Sequence, residues 1–142
     1  MFTNTRKLQI EWGHCDPAGI VFNPRFFEYF DWSTVQMFEV ALGMTKYDML
    51  RKYDAVGIPI VDSRAKFLRT RRYGEHIEIA SRITKFGRSS FDVHHRLAKD
   101  GELSVEAFEV RVWVVRDPAD AERVKSHPIP EEVVAKFRQF GY

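Results

Sequence analysis

A carboxylate and a helix start lie seven residues apart near the front of this chain. Asp16 sits on the tight turn Asp16-Pro17-Ala18-Gly19, and Asn23 with Pro24 stands at the head of a long helical pattern. Asn23 occupies the place of a cap and Pro24 that of the first helical residue, where its missing N–H costs nothing. A helix start presents unpaired backbone N–H groups and a partial positive charge. A base or nucleophile beside such an end has a ready-made site for a developing oxyanion, which is the chemistry of acyl transfer. The same residues also describe an ordinary turn feeding a capped helix.

A second carboxylate lies further along. With Phe27 at zero on a helical wheel, Phe30, Thr34, Phe38, Ala41 and Leu42 fall within about 60° of it. Asp31 sits only about 40° from that centre, where an unpaired charge is costly. Two readings fit it: the edge of the arc, reaching water or a salt bridge, or a polar group placed to hold a ligand. Two other combinations are weaker. His14 and Cys15 are chain neighbours pointing apart, and a Cys–His nucleophile needs mutual hydrogen bonding. His14, Asp16, His94 and His95 match no metal-ligand spacing, and His94 and His95 fall on opposite faces of a strand, so no metal is expected.

These groups must be positioned by a modest set of elements. The pattern predicts a strand at 6–11, a helix at 25–42 and a second helix at 45–53. Strands rich in Val, Ile and Phe follow at 58–68, 75–86, 90–98 and 103–115, and a terminal helix at 130–140. Asp100-Gly101 is a hairpin signal, so consecutive strands pair antiparallel. The 25–42 helix is apolar over so much of its surface that it is expected to be buried on most sides. The fold class is therefore α+β: an antiparallel five-stranded sheet wrapped around a long central helix.

The 142 residues fit one domain, 1–142, without linker or repeat. At 44% hydrophobic and 30% charged the chain is an ordinary folded domain, and its twelve Phe and three Trp suffice for a core or an apolar pocket. A net charge of +2 without a basic stripe gives no nucleic-acid partner. Cys15 is the single cysteine, which suits a reducing compartment. No apolar run approaches the roughly 18 residues of a membrane span, and the N-terminus has no apolar signal core. The expectation is a cytoplasmic protein with no membrane partner.

Asp16-Pro17-Ala18-Gly19-Ile20-Val21, then Asn23-Pro24 and an aromatic helix carrying Asp31, resemble the hotdog-fold acyl-CoA thioesterases. Among these the likeness is greatest to the bacterial 4-hydroxybenzoyl-CoA thioesterases. Gly57-Ile58-Pro59-Ile60-Val61 and Arg88-Ser89-Ser90-Phe91 carry it further. The resemblance implies the hotdog fold and hydrolysis of an aromatic acyl-CoA, with 4-hydroxybenzoyl-CoA favoured. Asp16 matches the catalytic carboxylate and the Asn23 N–H the oxyanion donor. Asp31 matches the acceptor of the ring hydroxyl, Ile58 and Pro59 the substrate-binding segment, and Arg88 and Ser89 the coenzyme A phosphate site. It implies no cofactor and a homotetramer, a dimer of dimers with shared sites. Ile58 replaces a hydroxyl side chain of the close relatives, so a contact to the acyl group is missing. The basic cluster at Arg88 is thinner, and Arg71 or Arg72 stands as a substitute anchor. A short-chain aliphatic acyl-CoA thioesterase, or a non-catalytic acyl-CoA-binding hotdog protein, is the alternative. A hotdog hydratase is disfavoured, because only His14 could join Asp16 as an acid–base pair.

Overall fold

The computed structural model describes residues 2–139. In chain order it has β1 (Asn4–Gln9), a short 3-10 turn at Trp12–His14, α1 (Asn23–Leu42), α2 (Lys46–Lys52), β2 (Ile60–Phe67), β3 (His76–Phe86), β4 (Ser90–Lys99), β5 (Glu102–Val112), β6 (Val114–Asp117), β7 (Asp120–Ser126) and α3 (Glu131–Arg138). Five strands form one antiparallel sheet in the order β1-β3-β4-β5-β2, and β6 and β7 form a separate hairpin. The expected sheet and helix are present. The expected strand at 103–115 is instead interrupted at Trp113, after which β6 leaves to pair with β7. The terminal helix is shorter than expected, and Phe140 lies outside the described residues.

Local chemistry sets the boundaries. Asp100 and Gly101 both have positive φ, 49° and 79°, the geometry of the tight two-residue hairpin between β4 and β5. Gly43 ends α1 in the left-handed conformation, its N–H donating to the Glu39 carbonyl at 2.9 Å. The Thr45 hydroxyl caps α2 by accepting from the Asp48 N–H at 3.1 Å. The start of α1 differs from expectation by one residue. Phe22 is the cap, without a side-chain hydrogen bond; Asn23 is the first helical residue and Pro24 the second. The Asn23 N–H donates to no backbone carbonyl among the described residues.

The helix is less enclosed than its pattern predicts. Its buried residues, Phe26, Tyr29, Phe30, Ser33, Thr34, Met37, Phe38, Ala41 and Leu42, lie on one side. Phe27 is 38% exposed and Val40 54% exposed. The sheet therefore covers one face of α1, and the true centre of burial is rotated about 60° from Phe27. Asp31 thereby falls at the edge of the buried arc.

The core is split. One apolar cluster gathers around Met37, Phe38, Ile83, Phe91, Val93 and Trp113, and another around Phe26, Phe30, Ile77, Ile79, Leu97 and Val105. Between them runs a buried polar seam of Thr34, Ser81, His95, Glu109 and Arg111. These residues alternate with apolar neighbours on the inward faces of α1, β3, β4 and β5. Buried polar groups of this kind persist only when hydrogen-bonded.

Candidate active site

The Asp16 turn is held at both ends by backbone hydrogen bonds. The Asp16 N–H donates to the Ile20 carbonyl and the Gly19 N–H to the Asp16 carbonyl, each at 2.9 Å. Gly19 takes φ 79°, a conformation open to glycine, and the Ala18 N–H donates to Asp16 Oδ1 at 2.8 Å. Below the turn, the Phe22 N–H donates to the His14 carbonyl and the Val21 N–H to the Arg71 carbonyl, both at 2.9 Å. The ladder that carries Asp16 thus runs straight into the first turn of α1. The partly exposed Asp16 carboxylate and the unengaged Asn23 N–H are fixed on one small rigid unit.

Neighbours of Asp16 are not competing nucleophiles. Burial, with the Asp16 charge behind it, pushes the Cys15 thiol up. His14 Nδ1 accepts from the Glu11 N–H at 3.2 Å and the ring packs edge-on against Tyr29. Among the described residues no three His, Cys, Asp or Glu side chains are grouped to hold a metal ion.

Asp31, Ile58 and Pro59 share one cavity of about 480 Å³, together with Val56, Val114, Lys46 and Arg111. The Ile58-Pro59 segment is pinned there because Gly57 bridges Val114 and the Val112 N–H donates to the Pro59 carbonyl at 3.1 Å. Asn23 lines a different, smaller cavity of about 150 Å³ with Phe26, Phe67 and Arg71. Arg88 and Ser89 line a third, about 380 Å³, with Lys125 and His127. Carbonyls of the Arg88-Ser89 turn accept from the Ile129 and Trp113 N–H groups at 2.8 and 2.7 Å, which anchors that turn.

One chain therefore does not gather all the expected residues into a single pocket. The first two cavities lie along α1 and share no lining residue. Asn23, Phe27 and Asp31 follow at steps of four, so they lie on one helix face, with about 12 Å of rise between the ends. The edge strand β2 runs beside this face: Phe67 lines the Asn23 cavity and Ile60 the Asp31 cavity. Phe27 packs edge-on against Phe67 midway, with ring centres 6.3 Å apart. The result is two separate recesses along α1, each walled in part by the edge strand β2. Arg71 is an unsuitable phosphate anchor, since its side chain is only 11% exposed and pairs with Glu75 at 3.5 Å.

The structure adds a partner that the sequence did not indicate. Arg111 Nη2 donates to Asp31 Oδ1 at 2.9 Å. Arg111 Nε donates to Glu109 Oε2 at 2.9 Å, and Nη1 to the Ile58 carbonyl at 3.1 Å. Thr34 Oγ1 donates to the same Glu109 oxygen at 3.1 Å. That spends the threonine proton, so His95 Nε2, 3.2 Å from Thr34 Oγ1, is the donor there. His95 Nδ1 meets Ser81 Oγ at 2.7 Å. Burial pushes the Glu109 carboxyl up, but hydrogen bonds and charge from His95 and Arg111 outweigh it and hold the group below its ordinary value.

The thioesterase-like superfamily matches residues 10–137, nearly the whole chain. The chain belongs to this superfamily. A curated relative, the 4-hydroxybenzoyl-CoA thioesterase of Pseudomonas sp. (strain CBS-3), is 29% identical over 136 residues, covering 92% of this chain and 94% of the relative. A solved three-dimensional structure of that thioesterase superposes with a TM-score of 0.85 at 28% identity, over 94% of this chain and 98% of the other. A gentisyl-coenzyme A thioesterase matches with a TM-score of 0.78 at 26% identity, over 92% and 99%. The five-stranded antiparallel sheet with its long helix is the hotdog fold of these thioester hydrolases.

Proposed function

We propose that this superfamily member is an acyl-CoA thioesterase acting on an aromatic acyl-CoA, with 4-hydroxybenzoyl-CoA as the favoured substrate. The observation that carries this reading is the rigid unit joining the Asp16 carboxylate to the unengaged Asn23 N–H. In the proposed reaction Asp16 attacks the thioester carbonyl or takes a proton from the attacking water. The carbonyl oxygen gains negative charge and the Asn23 N–H, at the positive end of α1, stabilises it. As nucleophile, Asp16 displaces the thiolate to form a mixed anhydride, which water then hydrolyses to free the carboxylate; as base, it takes a proton from the water whose oxygen forms the new C–O bond as the C–S bond breaks. In both routes a proton from that water passes to the thiolate sulfur, and the carboxylic acid and coenzyme A leave.

Asp31 accepts the ring hydroxyl in the acyl cavity, whose walls include Ile58 and Pro59. Arg88 and Ser89 hold the coenzyme A phosphates, and Lys125 adds positive charge to that recess. The protein works in the cytoplasm as a homotetramer, a dimer of dimers with shared sites. Two features support the shared site: in one chain Asn23, Asp31 and Arg88 fall in three separate cavities, and the edge strand β2 exposes Ile60, Val61 and Phe67. Among the described residues no helix is long and apolar enough to cross a membrane.

Steady-state assays over a panel of thioesters test the substrate. The expected order places 4-hydroxybenzoyl-CoA above benzoyl-CoA and both above hexanoyl-CoA. A panel led by hexanoyl-CoA would give the short-chain aliphatic reading instead.

A further inference from the structure

We propose that Arg111 is the positioning residue that orients Asp31 in the acyl cavity and thereby sets the preference for acyl groups bearing a ring hydroxyl. The proposal rests on the thioesterase reading and deepens it. Arg111 is buried, its side chain 3% exposed, whereas the Asp31 side chain is 49% exposed and faces the cavity. Three faces of the guanidinium are occupied, by Glu109, by the Ile58 carbonyl and by Asp31. A planar fork held at two fixed points cannot turn to follow a third group. Asp31 must therefore come to Arg111, and it does so through Oδ1 alone. Among the described residues Arg111 is the only side-chain partner of Asp31. The second carboxylate oxygen is left for a ligand, in one orientation.

The rigidity behind this contact extends through the sheet. Glu109 is fixed by Thr34 of α1 and lies 3.4 Å from His95 Nε2 of β4, and His95 is fixed by Thr34 and by Ser81 of β3. A chain of hydrogen bonds thus runs from the middle of the sheet to the cavity wall. It also ties the Ile58 backbone, the opposite wall, to the same guanidinium. Asp31 sits at the edge of α1, where packing alone would leave its rotamer free; the buried seam supplies the constraint. A ring hydroxyl is discriminated only if its acceptor is already in place, because an acceptor that must be reordered loses part of the gain.

The test compares kcat/KM for 4-hydroxybenzoyl-CoA and benzoyl-CoA in wild type, Arg111→Gln, Arg111→Gln with Glu109→Gln, Asp31→Ala, and Asp31→Ala with Arg111→Gln. The Arg111/Glu109 double variant leaves no unpaired charge in the core, so it keeps the test available where the single variant folds poorly. Both Arg111 variants are expected to lose the 4-hydroxybenzoyl preference by roughly tenfold or more, with benzoyl-CoA much less affected. In the Asp31→Ala background, Arg111→Gln should change the ratio no further. Equal losses on both substrates, or a further fall of the ratio without Asp31, would overturn the proposal and make the seam purely structural. A wild-type ratio near one overturns the substrate reading itself, and this inference with it.

Discussion

Asn23→Pro deletes one hydrogen from the candidate site and almost nothing else. Proline has no N–H, so the substitution removes the proposed oxyanion donor directly. The local backbone is already suited to it. Asn23 is the first residue of α1, where proline is favoured, and the preceding Phe22 has φ −67° and ψ 122°, the extended conformation required before proline. The Asn23 N–H gives up no backbone hydrogen bond, so stability should change by less than about 1 kcal/mol. Loss of one oxyanion donor costs about 10²–10³-fold in kcat, or roughly 3–4 kcal/mol. Asn23→Ala keeps the N–H and should retain most activity, because the exposed Asn23 side chain caps nothing. Steady-state kinetics on 4-hydroxybenzoyl-CoA, with a thermal melt of each variant, decide the matter. Undiminished turnover in a folded Asn23→Pro protein would refute the reasoning, as would equal losses in the proline and alanine variants.

Other outcomes follow from the same structure. Glu109→Ala leaves Arg111 and His95 facing each other without their shared carboxylate, and urea unfolding should show a loss of about 3–5 kcal/mol; a loss below about 1 kcal/mol would mean the seam is not a coupled network. Because the Glu109 carboxyl is held below its ordinary value of 4.5, its stabilisation is present above that pH and is lost as the pH falls through the lower folded value; the melting temperature of Glu109→Gln should decline less on acidification than that of wild type. Val61→Lys places a charge on the exposed edge strand β2, and sedimentation should show a smaller assembly with a parallel loss of activity; an unchanged mass would show that β2 is not the joining edge.

Much of this architecture was legible in the sequence. Alternation and the Asp100-Gly101 turn identified the strands, and the Asp16 turn stood out because Pro and Gly flank a carboxylate just before a helix. Arg111 and Glu109 were not legible. Along β5, Phe108, Val110 and Val112 alternate with Glu109 and Arg111, and that pattern assigns the charges to the solvent face. The structure does the reverse: Ala107, Glu109, Arg111 and Trp113 are buried. The strand can face this way because each charge meets a partner on another element, and such pairings across long separations leave no local signal. His95 carried a faint one, since it shares a strand face with Phe91, Val93 and Leu97. The exposure of Phe27 was hidden for a related reason. A partly exposed apolar residue on an apolar helix looks in sequence like a buried one.

The central claim is that the Asp16 carboxylate drives hydrolysis, with the Asn23 N–H stabilising the oxyanion, while the remaining site residues bind the thioester. Asp16→Asn keeps the shape of the side chain, including an oxygen for the Ala18 N–H, and removes the charge. Single-turnover hydrolysis of 4-hydroxybenzoyl-CoA should fall by about 10²-fold or more, while the Kd for the same thioester stays near the wild-type value. Hydrolysis at the wild-type rate in the asparagine variant would contradict the account.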